Sequence, residues 1–132
     1  MCGRSSVNAS ADDIATEAKR ACGAVGNVTW NSRTRDQWVP RSNIHPGQLL
    51  PVLIRDLESG ETRLEAVHWG LIPSFTPPDL RKPDFFRMFN SRSETCAELP
   101  SFRKLTPNRR CVVLLSGTSY ITFFYLLLGY FS

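Results

Sequence analysis

The spacing of apolar residues predicts a helix near the start of the chain. Apolar side chains recur there at the three- and four-residue intervals of one helical face, at Ile14, Ala18, Ala21 and Cys22. Ser10 followed three residues later by Asp13 resembles a capping box in which Asp takes the place of the usual Glu. We therefore expect an amphipathic helix over about residues 11–22 that ends at Gly23.

The middle of the chain has the apolar pattern of two strands. Leu49–Leu57 and Leu64–Trp69 are β-type runs, and residues 58–61 between them read Glu-Ser-Gly-Glu, which is suitable turn chemistry. This arrangement predicts a β-hairpin. The preceding stretch, residues 27–47, has the prolines, glycines and asparagines of extended, loop-rich chain.

After the hairpin, prolines interrupt regular structure across a long loop, at Pro73, Pro77, Pro78 and Pro83. A short helical turn is predicted around Glu94–Leu99, and a strand over Cys111–Leu115. One helix with several strands indicates the α+β class with a mainly antiparallel sheet.

Residues 111–131 carry no charged side chain and follow a basic segment, which is the pattern of a transmembrane helix. Ser and Thr dilute the first half, however, and the concentrated apolar part, ITFFYLLLGYF, is short. A strand followed by an atypical tail is the preferred interpretation. A membrane-tethered fragment stays open as an alternative.

Composition narrows the class of protein. A chain of 132 residues with 42% hydrophobic residues is the size of one globular domain. The net charge of +4 is compatible with a polyanionic partner without requiring one. There is no C-x-x-C pair, and His45 and His68 lie far from the cysteines in sequence, so we expect neither metal nor cofactor. No apolar signal segment begins the chain, which predicts an intracellular protein with reduced thiols.

Cys2 is the residue with the most distinctive chemistry. Removal of Met1 would leave it with a free α-amine and a thiol on adjacent carbons, and both groups have ordinary pKa values of about 8 to 8.5. An aldehyde condenses with such an amine, and the thiol then closes a five-membered thiazolidine ring. An internal cysteine cannot do this. The alternative is a small residue at a frayed chain end.

Two further stretches could bind a ligand. AVHWGLIPSF, residues 66–75, places Trp69 and Phe75 on a rigid bend that could form an exposed platform for an unpaired base. Without context, both aromatic side chains could equally belong to the core. FNSRSET, residues 89–95, offers the carboxamide of Asn90 and the guanidinium of Arg92. By itself it is a polar loop.

Five ordered stretches together resemble one family. They are MCGR at the start, SNIHPGQLLPVL at 42–53, HWGLIPSF at 68–75, FNSRSET at 89–95 and SFRKL followed by RRCVVL at 101–114. Their order and spacing are similar to those of the SRAP family, the SOS-response-associated peptidases. The resemblance implies a fold of mainly antiparallel sheet or barrel with short flanking helices.

The resemblance also implies a function. Family members use a mature N-terminal cysteine to crosslink the ring-opened aldehyde of an abasic site in single-stranded DNA, which shields the lesion. By motif position Cys2 would be the nucleophile, and Asn90 would position the opened sugar. The residues implied to line the DNA groove are Arg4, Asn43, Pro46, Trp69, Pro73 and Arg92.

The resemblance ends after Leu114. Where the family continues G-F-Y-E-W, this chain keeps Gly117 but has Tyr120 at the position of the catalytic glutamate and Ile121 at that of the tryptophan. The family's catalytic histidine lies in a later segment with no counterpart here. We therefore predict a truncated N-terminal part of the domain over 1–114 and a divergent apolar tail over 115–132.

The expected function is accordingly covalent capture of abasic DNA, weakened by the two missing acid–base groups. The resemblance also implies autopeptidase and lyase-type activities, for which this chain lacks the catalytic glutamate and histidine. Protease activity on other substrates is not inferred. The alternative is a noncovalent module for single-stranded or modified-base DNA. The DNA role predicts a nuclear location and contact with the replication machinery.

Overall fold

The computed structural model describes residues 3–23, 27–56, 59–77, 84–92, 94–116 and the backbone of 125–127. The strands are Ser5–Val7 (β1), Thr29–Trp30 (β2), Arg41–Ile44 (β3), Leu49–Arg55 (β4), Thr62–His68 (β5), Arg110–Val113 (β6) and Tyr125–Leu127 (β7). The helices are Ala11–Cys22 (α1), Ser32–Arg35 (α2) and Pro100–Arg103 (α3). The predicted α+β class is confirmed.

Helix α1 begins and ends where the sequence predicted. The hydroxyl of Ser10 accepts a hydrogen bond from the backbone N–H of Asp13 at 3.2 Å, and the Asp13 carboxylate accepts one from the Ser10 N–H at 3.3 Å. This reciprocal pair satisfies two donors that the first turn would otherwise leave exposed. Gly23 ends the helix with φ of 65°. Ile14 and Ala18 are buried in the main hydrophobic core, and Cys22 is half-buried against it. Ala21, which was also predicted to lie on this face, is exposed.

The predicted hairpin is also confirmed. β4 and β5 pair antiparallel over their whole length, from Leu49 opposite His68 to Arg55 opposite Thr62. Leu57, the predicted end of the first strand, and Glu58, the first residue of the predicted turn, lie outside the described residues. Four consecutive residues of β5, 64–67, are buried. Successive strand residues point to opposite faces, so the sheet is covered on both faces here.

Glu65 is a charged residue inside this covered sheet. It is only 3% exposed. Its carboxylate accepts hydrogen bonds from the guanidinium of Arg63 and from the side-chain amide of Asn31, the residue that caps α2. The hydrogen bond from Arg63 stabilises the charged guanidinium and raises the pKa of Arg63 above its usual value. The paired carboxylate therefore fixes α2 against β5.

Among the described residues, the main sheet has five strands in the order β2-β5-β4-β6-β7. β2 runs parallel to β5, and the other neighbours are antiparallel, so the sheet is mixed at one edge. Within the described strands the sheet is open, with β2 and β7 at its two edges. A separate antiparallel pair joins β1 to β3, with Ser5 opposite Ile44. The loop-rich stretch 27–47 therefore holds β2, α2 and β3.

The C-terminal part of the described chain forms strands. The strand predicted over Cys111–Leu115 is found at Arg110–Val113, and β7 pairs with it so that Cys111 faces Leu126. Among the described residues, no helix is long and apolar enough to cross a membrane. Residues 117–124, which include Tyr120 and Ile121, lie outside the described chain. The domain boundary at residue 114 stays a prediction.

Candidate functional site

Trp69 lies at the point where the hairpin runs into the following loop. Its backbone N–H donates to the carbonyl of Gln48 at 2.9 Å, and its carbonyl accepts from Gly47 at 2.7 Å, so pairing continues past the end of β5. The indole Nε1–H donates to the carbonyl of Phe89 at 3.0 Å. The two rings meet edge to face, with centroids 5.9 Å apart and planes at 77°.

The two aromatic residues of the HWGLIPSF stretch have opposite environments. Trp69 is 7% exposed and belongs to the main hydrophobic core, whereas Phe75 is 73% exposed. The platform interpretation is therefore wrong for Trp69, and the core interpretation is wrong for Phe75. The structure places Phe75, rather than Trp69, where a base could stack on an open ring face.

Phe89 connects the start of the described chain with the FNSRSET stretch. A β-carbon built on Gly3 would lie 3.5 Å from Cε2 of Phe89, so the ring packs directly over Gly3. Gly3 follows Cys2 in the chain, and Asn90 follows Phe89. One aromatic ring thus brings together the segments that carry the two predicted catalytic residues. Cys2 itself lies outside the described residues.

Asn90 and its neighbour present polar groups at this junction. Asn90 is half-buried, and within the described residues no hydrogen bond engages its carboxamide. The hydroxyl oxygen of Ser91 is buried and has no hydrogen-bond partner in the part of the chain that the structure describes. A buried polar atom without a partner is uncommon in a folded protein. The arrangement leaves donors and acceptors available to a bound molecule.

The pairing of β1 with β3 brings two further predicted residues together. The guanidinium Nη1 of Arg4 donates to the side-chain Oδ1 of Asn43 at 3.0 Å, and both residues are exposed. Pro46, two residues after β3, is fully buried. Its side chain supports the fold of this loop and offers no open surface.

Pro73 lines a different part of the surface. It borders a cleft of about 170 Å³ whose lining is mainly apolar and is formed by Leu71, Ile72, Pro73, Phe75, Thr76, Asp84, Arg87 and Met88. The backbone N–H of Leu71 donates to the carbonyl of Met88 at 2.9 Å, which ties the floor of the cleft to the segment that leads to Asn90. The cleft and the Phe89 junction are therefore continuous through residues 88–90.

Arg92 begins the turn that precedes α3. Its carbonyl accepts hydrogen bonds from the N–H groups of Thr95 at 3.2 Å and Cys96 at 2.8 Å, which confirms the predicted turn around 94–99. The Arg92 side chain is exposed. It can therefore reach an anionic ligand in solvent while its backbone is fixed.

The contribution of Phe85 and Phe86, which precede this segment, was not predicted from the sequence. Phe85 stacks on the ring of His68 with centroids 5.3 Å apart, and Phe86 stacks on His45 at 5.9 Å. Phe86 is still 59% exposed. The sequence feature that could have indicated it is the aromatic run DFFRMFN, residues 84–90. Without knowledge that its rings contact His68 and His45, this run is typical of an ordinary loop.

The two histidines are held by backbone carbonyls. Nδ1 of His45 lies 2.8 Å from the carbonyl oxygen of Pro46, and Nδ1 of His68 lies 2.8 Å from that of Gly47. A carbonyl only accepts, so each Nδ1 carries the proton. In the part of the chain that the structure describes, no group of three or more His, Cys, Asp or Glu side chains could hold a metal ion.

Comparison with known proteins supports the resemblance seen in the sequence. The family model for SOS response associated peptidase (SRAP) matches residues 1–119. Abasic site processing protein HMCES of Xenopus tropicalis is 34% identical over an alignment of 131 positions, which covers 89% of this chain and 38% of that protein.

Two bacterial proteins are similar as well. Abasic site processing protein YobE of Bacillus subtilis is 36% identical over 77 positions, covering 58% of this chain and 33% of that protein. Abasic site processing protein YoqW of the same organism is 30% identical over 113 positions, covering 86% and 44%. The chain thus spans less than half the length of each of these relatives. Because the family model covers most of its residues, the chain belongs to the SOS response associated peptidase family.

Proposed function

We propose that this chain captures abasic sites in single-stranded DNA through a covalent bond to Cys2, once Met1 has been removed. The relatives named above are abasic site processing proteins, and the family model matches this chain from residue 1 onward. The observation that carries the proposal is the packing of the Phe89 ring over Gly3, which draws the start of the chain to Asn90.

The proposed reaction is a condensation that needs no oxidant or reductant. The α-amine of Cys2 adds to the aldehyde of the ring-opened sugar, and loss of one water gives a protonated imine. The thiolate then adds to the imine carbon, and the electron pair of the C=N bond returns to nitrogen. The product is a thiazolidine, in which the former aldehyde carbon is bonded to both nitrogen and sulfur.

Asn90 would hold the opened sugar beside this nucleophile. A carboxamide both donates and accepts, so it can bind a sugar hydroxyl and the aldehyde oxygen. Its half-buried position lowers competition from water without closing access. Holding two reactants in a near-attack geometry is worth several kcal/mol of the barrier, about 7–11 in the best intramolecular cases.

The DNA backbone would be bound by exposed cations around the junction. Arg4 follows Gly3, and Arg92 lies three residues after Phe89. Both are exposed, and the guanidinium of Arg4 is hydrogen-bonded to Asn43. Contacts of this kind supply affinity that does not depend on sequence. The exposed ring of Phe75, beside Pro73, would stack on a neighbouring base, a contact worth about 1–3 kcal/mol.

Formation of a covalent bond, however slow, distinguishes this proposal from a noncovalent module. The family's catalytic glutamate position holds Tyr120, and general acid–base groups contribute about 10²–10⁴-fold in rate. We therefore expect crosslinking that depends on Cys2 but is slow. A noncovalent module would instead bind the same DNA with no bond formed at any time.

The test is incubation of the purified protein with single-stranded DNA that bears one abasic site, followed by a denaturing gel. The expected result is a shifted band that is absent for Cys2→Ala and retained for Cys22→Ala, the matched control on α1. DNA with a tetrahydrofuran in place of the sugar has no aldehyde and should bind without crosslinking. A wild-type complex seen only on native gels would overturn the covalent proposal in favour of the noncovalent module.

We further propose that the protein acts in the nucleus, at abasic sites exposed when replication separates the strands. The basis is the substrate, since abasic single-stranded DNA arises at replication forks. Imaging of the full chain with a small C-terminal tag checks the location. Exclusion of the tagged protein from the nucleus, before and after treatment that creates abasic sites, would contradict it.

A further inference from the structure

Trp69 is buried and close to the proposed reaction without facing the solvent. Its indole N–H is committed to the carbonyl of Phe89, and its ring is 7% exposed. A side chain in that position cannot stack on a base. We propose that Trp69 is a positioning residue, which sets the Asn90 carboxamide and, through the Phe89 ring, the Gly3 end of the chain. The inference rests on the proposed function and adds a role within the same site.

The geometry of the peptide bond explains why this single hydrogen bond positions Asn90. The carbonyl that accepts from Trp69 belongs to the peptide unit joining Phe89 to Asn90. This unit is planar, so fixing its oxygen also restricts the positions of the nitrogen and Cα of Asn90. The freedom that remains is rotation of the peptide plane about the axis of the hydrogen bond. The edge-to-face contact of the two rings restricts that remaining rotation.

The same contact extends to the start of the chain. The Phe89 ring that meets Trp69 on its edge also packs on Gly3, where an added β-carbon would be 3.5 Å away. Gly3 leads directly into β1, which is paired with β3. Trp69 therefore supports both the carboxamide side and the nucleophile side of the proposed site through one intermediate residue.

Contacts other than the indole hydrogen bond hold the residues that precede Phe89, so the effect of this hydrogen bond is confined to residues 89–90. The segment before Phe89 is already held by the Leu71 N–H, which donates to Met88, and by the backbone of Phe85, which lies against Gly70. These contacts fix residues 85–88 whether or not the indole N–H is present. Deleting the N–H should consequently displace residues 89–90 and leave the cleft intact.

The chain supplies a matched control. Trp38 is also 7% exposed, and its indole N–H also donates to a backbone carbonyl, that of Ala9 at 3.2 Å. Trp38→Phe and Trp69→Phe each delete one buried donor and keep an aromatic ring. The two variants therefore lose comparable contacts, but only Trp69 contacts the segment that carries Asn90.

The experiment measures the single-turnover rate of crosslinking to abasic single-stranded DNA over a range of DNA concentrations. For Trp69→Phe the maximal rate should fall about tenfold, because displacement of a positioning group by a fraction of an ångström already misaligns the reactants. The half-saturating DNA concentration should stay within about twofold. Trp38→Phe should leave both values unchanged. A raised half-saturating concentration with an unchanged maximal rate, or equal losses in the two variants, would overturn the proposal.

Hydrogen–deuterium exchange of the DNA-free protein gives a readout that does not need crosslinking. In Trp69→Phe the amides of residues 3–7 and 89–92 should exchange faster than in the wild type, and in Trp38→Phe they should not. If the wild type forms no crosslink, the covalent function fails while exchange still decides the coupling. Should Trp69→Phe not fold, Phe89→Leu tests the same coupling, because it keeps the carbonyl acceptor and removes the ring from Gly3. Unchanged exchange in the folded variant would refute the positioning role.

Discussion

The β4–β5 hairpin and the segment 84–92 are adjacent but are held by different kinds of contact. The hairpin pairs without a break from Leu49 opposite His68 to Arg55 opposite Thr62, and its central residues are buried. In its described residues the segment 84–92 forms neither helix nor strand. It is held instead by individual contacts, which it makes to His45, His68, Trp69, Gly70 and Leu71.

The difference separates stability from function. Continuous pairing and burial make the hairpin a cooperative unit, in which the loss of one side chain weakens the whole fold. A segment held by a few point contacts can be displaced locally while the core stays intact. We therefore expect substitutions in the hairpin to affect the free energy of unfolding. Substitutions in the segment 84–92 or on the nearby surface should instead affect the affinity for DNA and the rate of crosslinking.

The largest effect on stability should come from the centre of the hairpin. Leu64 on β5 is fully buried, with no exposed surface. Leu64→Ala should lower the free energy of unfolding by about 2–5 kcal/mol, because it removes buried contacts and leaves a cavity. Urea denaturation followed by tryptophan fluorescence measures this. Phe75→Ala, at an exposed ring, should change it by less than about 0.5 kcal/mol. Similar losses in the two variants would remove the distinction between the regions.

An intermediate effect is expected where the two regions meet. Gly70 has φ of 127°, and a β-carbon there would lie 2.6 Å from the carbonyl oxygen of Phe85. Gly70→Ala should cost about 3 kcal/mol of stability, from backbone strain and from displacement of the segment. Gly60→Ala is the control, because Gly60 has φ of 72° but, among the described residues beyond its chain neighbours, no atom within 4 Å of the added carbon. It should cost about 1 kcal/mol.

Crosslinking should separate these two glycine variants further. At a temperature where both are folded, Gly70→Ala should crosslink abasic DNA more slowly than Gly60→Ala, because only Gly70 contacts the segment that carries Asn90. Equal crosslinking rates would show that the Gly70 contact with Phe85 does not position the site.

The smallest effect on stability is expected at Arg4. Its guanidinium is exposed and makes one hydrogen bond to Asn43, so Arg4→Gln should change the free energy of unfolding by less than about 0.5 kcal/mol. If Arg4 contacts one phosphate, the slope of log affinity for single-stranded DNA against log salt should decrease by about 0.7. Binding titrations at several salt concentrations measure the slope. Arg20→Gln, at an exposed arginine on α1, should leave the slope unchanged.

The elements that could be predicted from the sequence are those whose signals lie within a few neighbouring residues. Helix α1 follows from apolar spacing and the Ser10–Asp13 box, and both act within a few residues of chain. The hairpin follows from two β-type runs around turn residues, since strands adjacent in sequence readily pair. Family membership could also be predicted, because five motifs that follow one another in a fixed order, from MCGR to RRCVVL, are specific to a family even without coordinates.

Which residues of the motifs face solvent, and which of them contact each other, depends on packing between segments that are distant in sequence. Trp69 and Phe75 belong to one short stretch, yet one is core and the other is exposed, because the chain turns out of the sheet between them. The contact of Phe89 with Gly3 joins residues far apart in sequence, and no periodicity encodes it. Such contacts depend on how packed elements bring distant segments together, which is why the sequence predicted the residues of the site but not the ring that connects them.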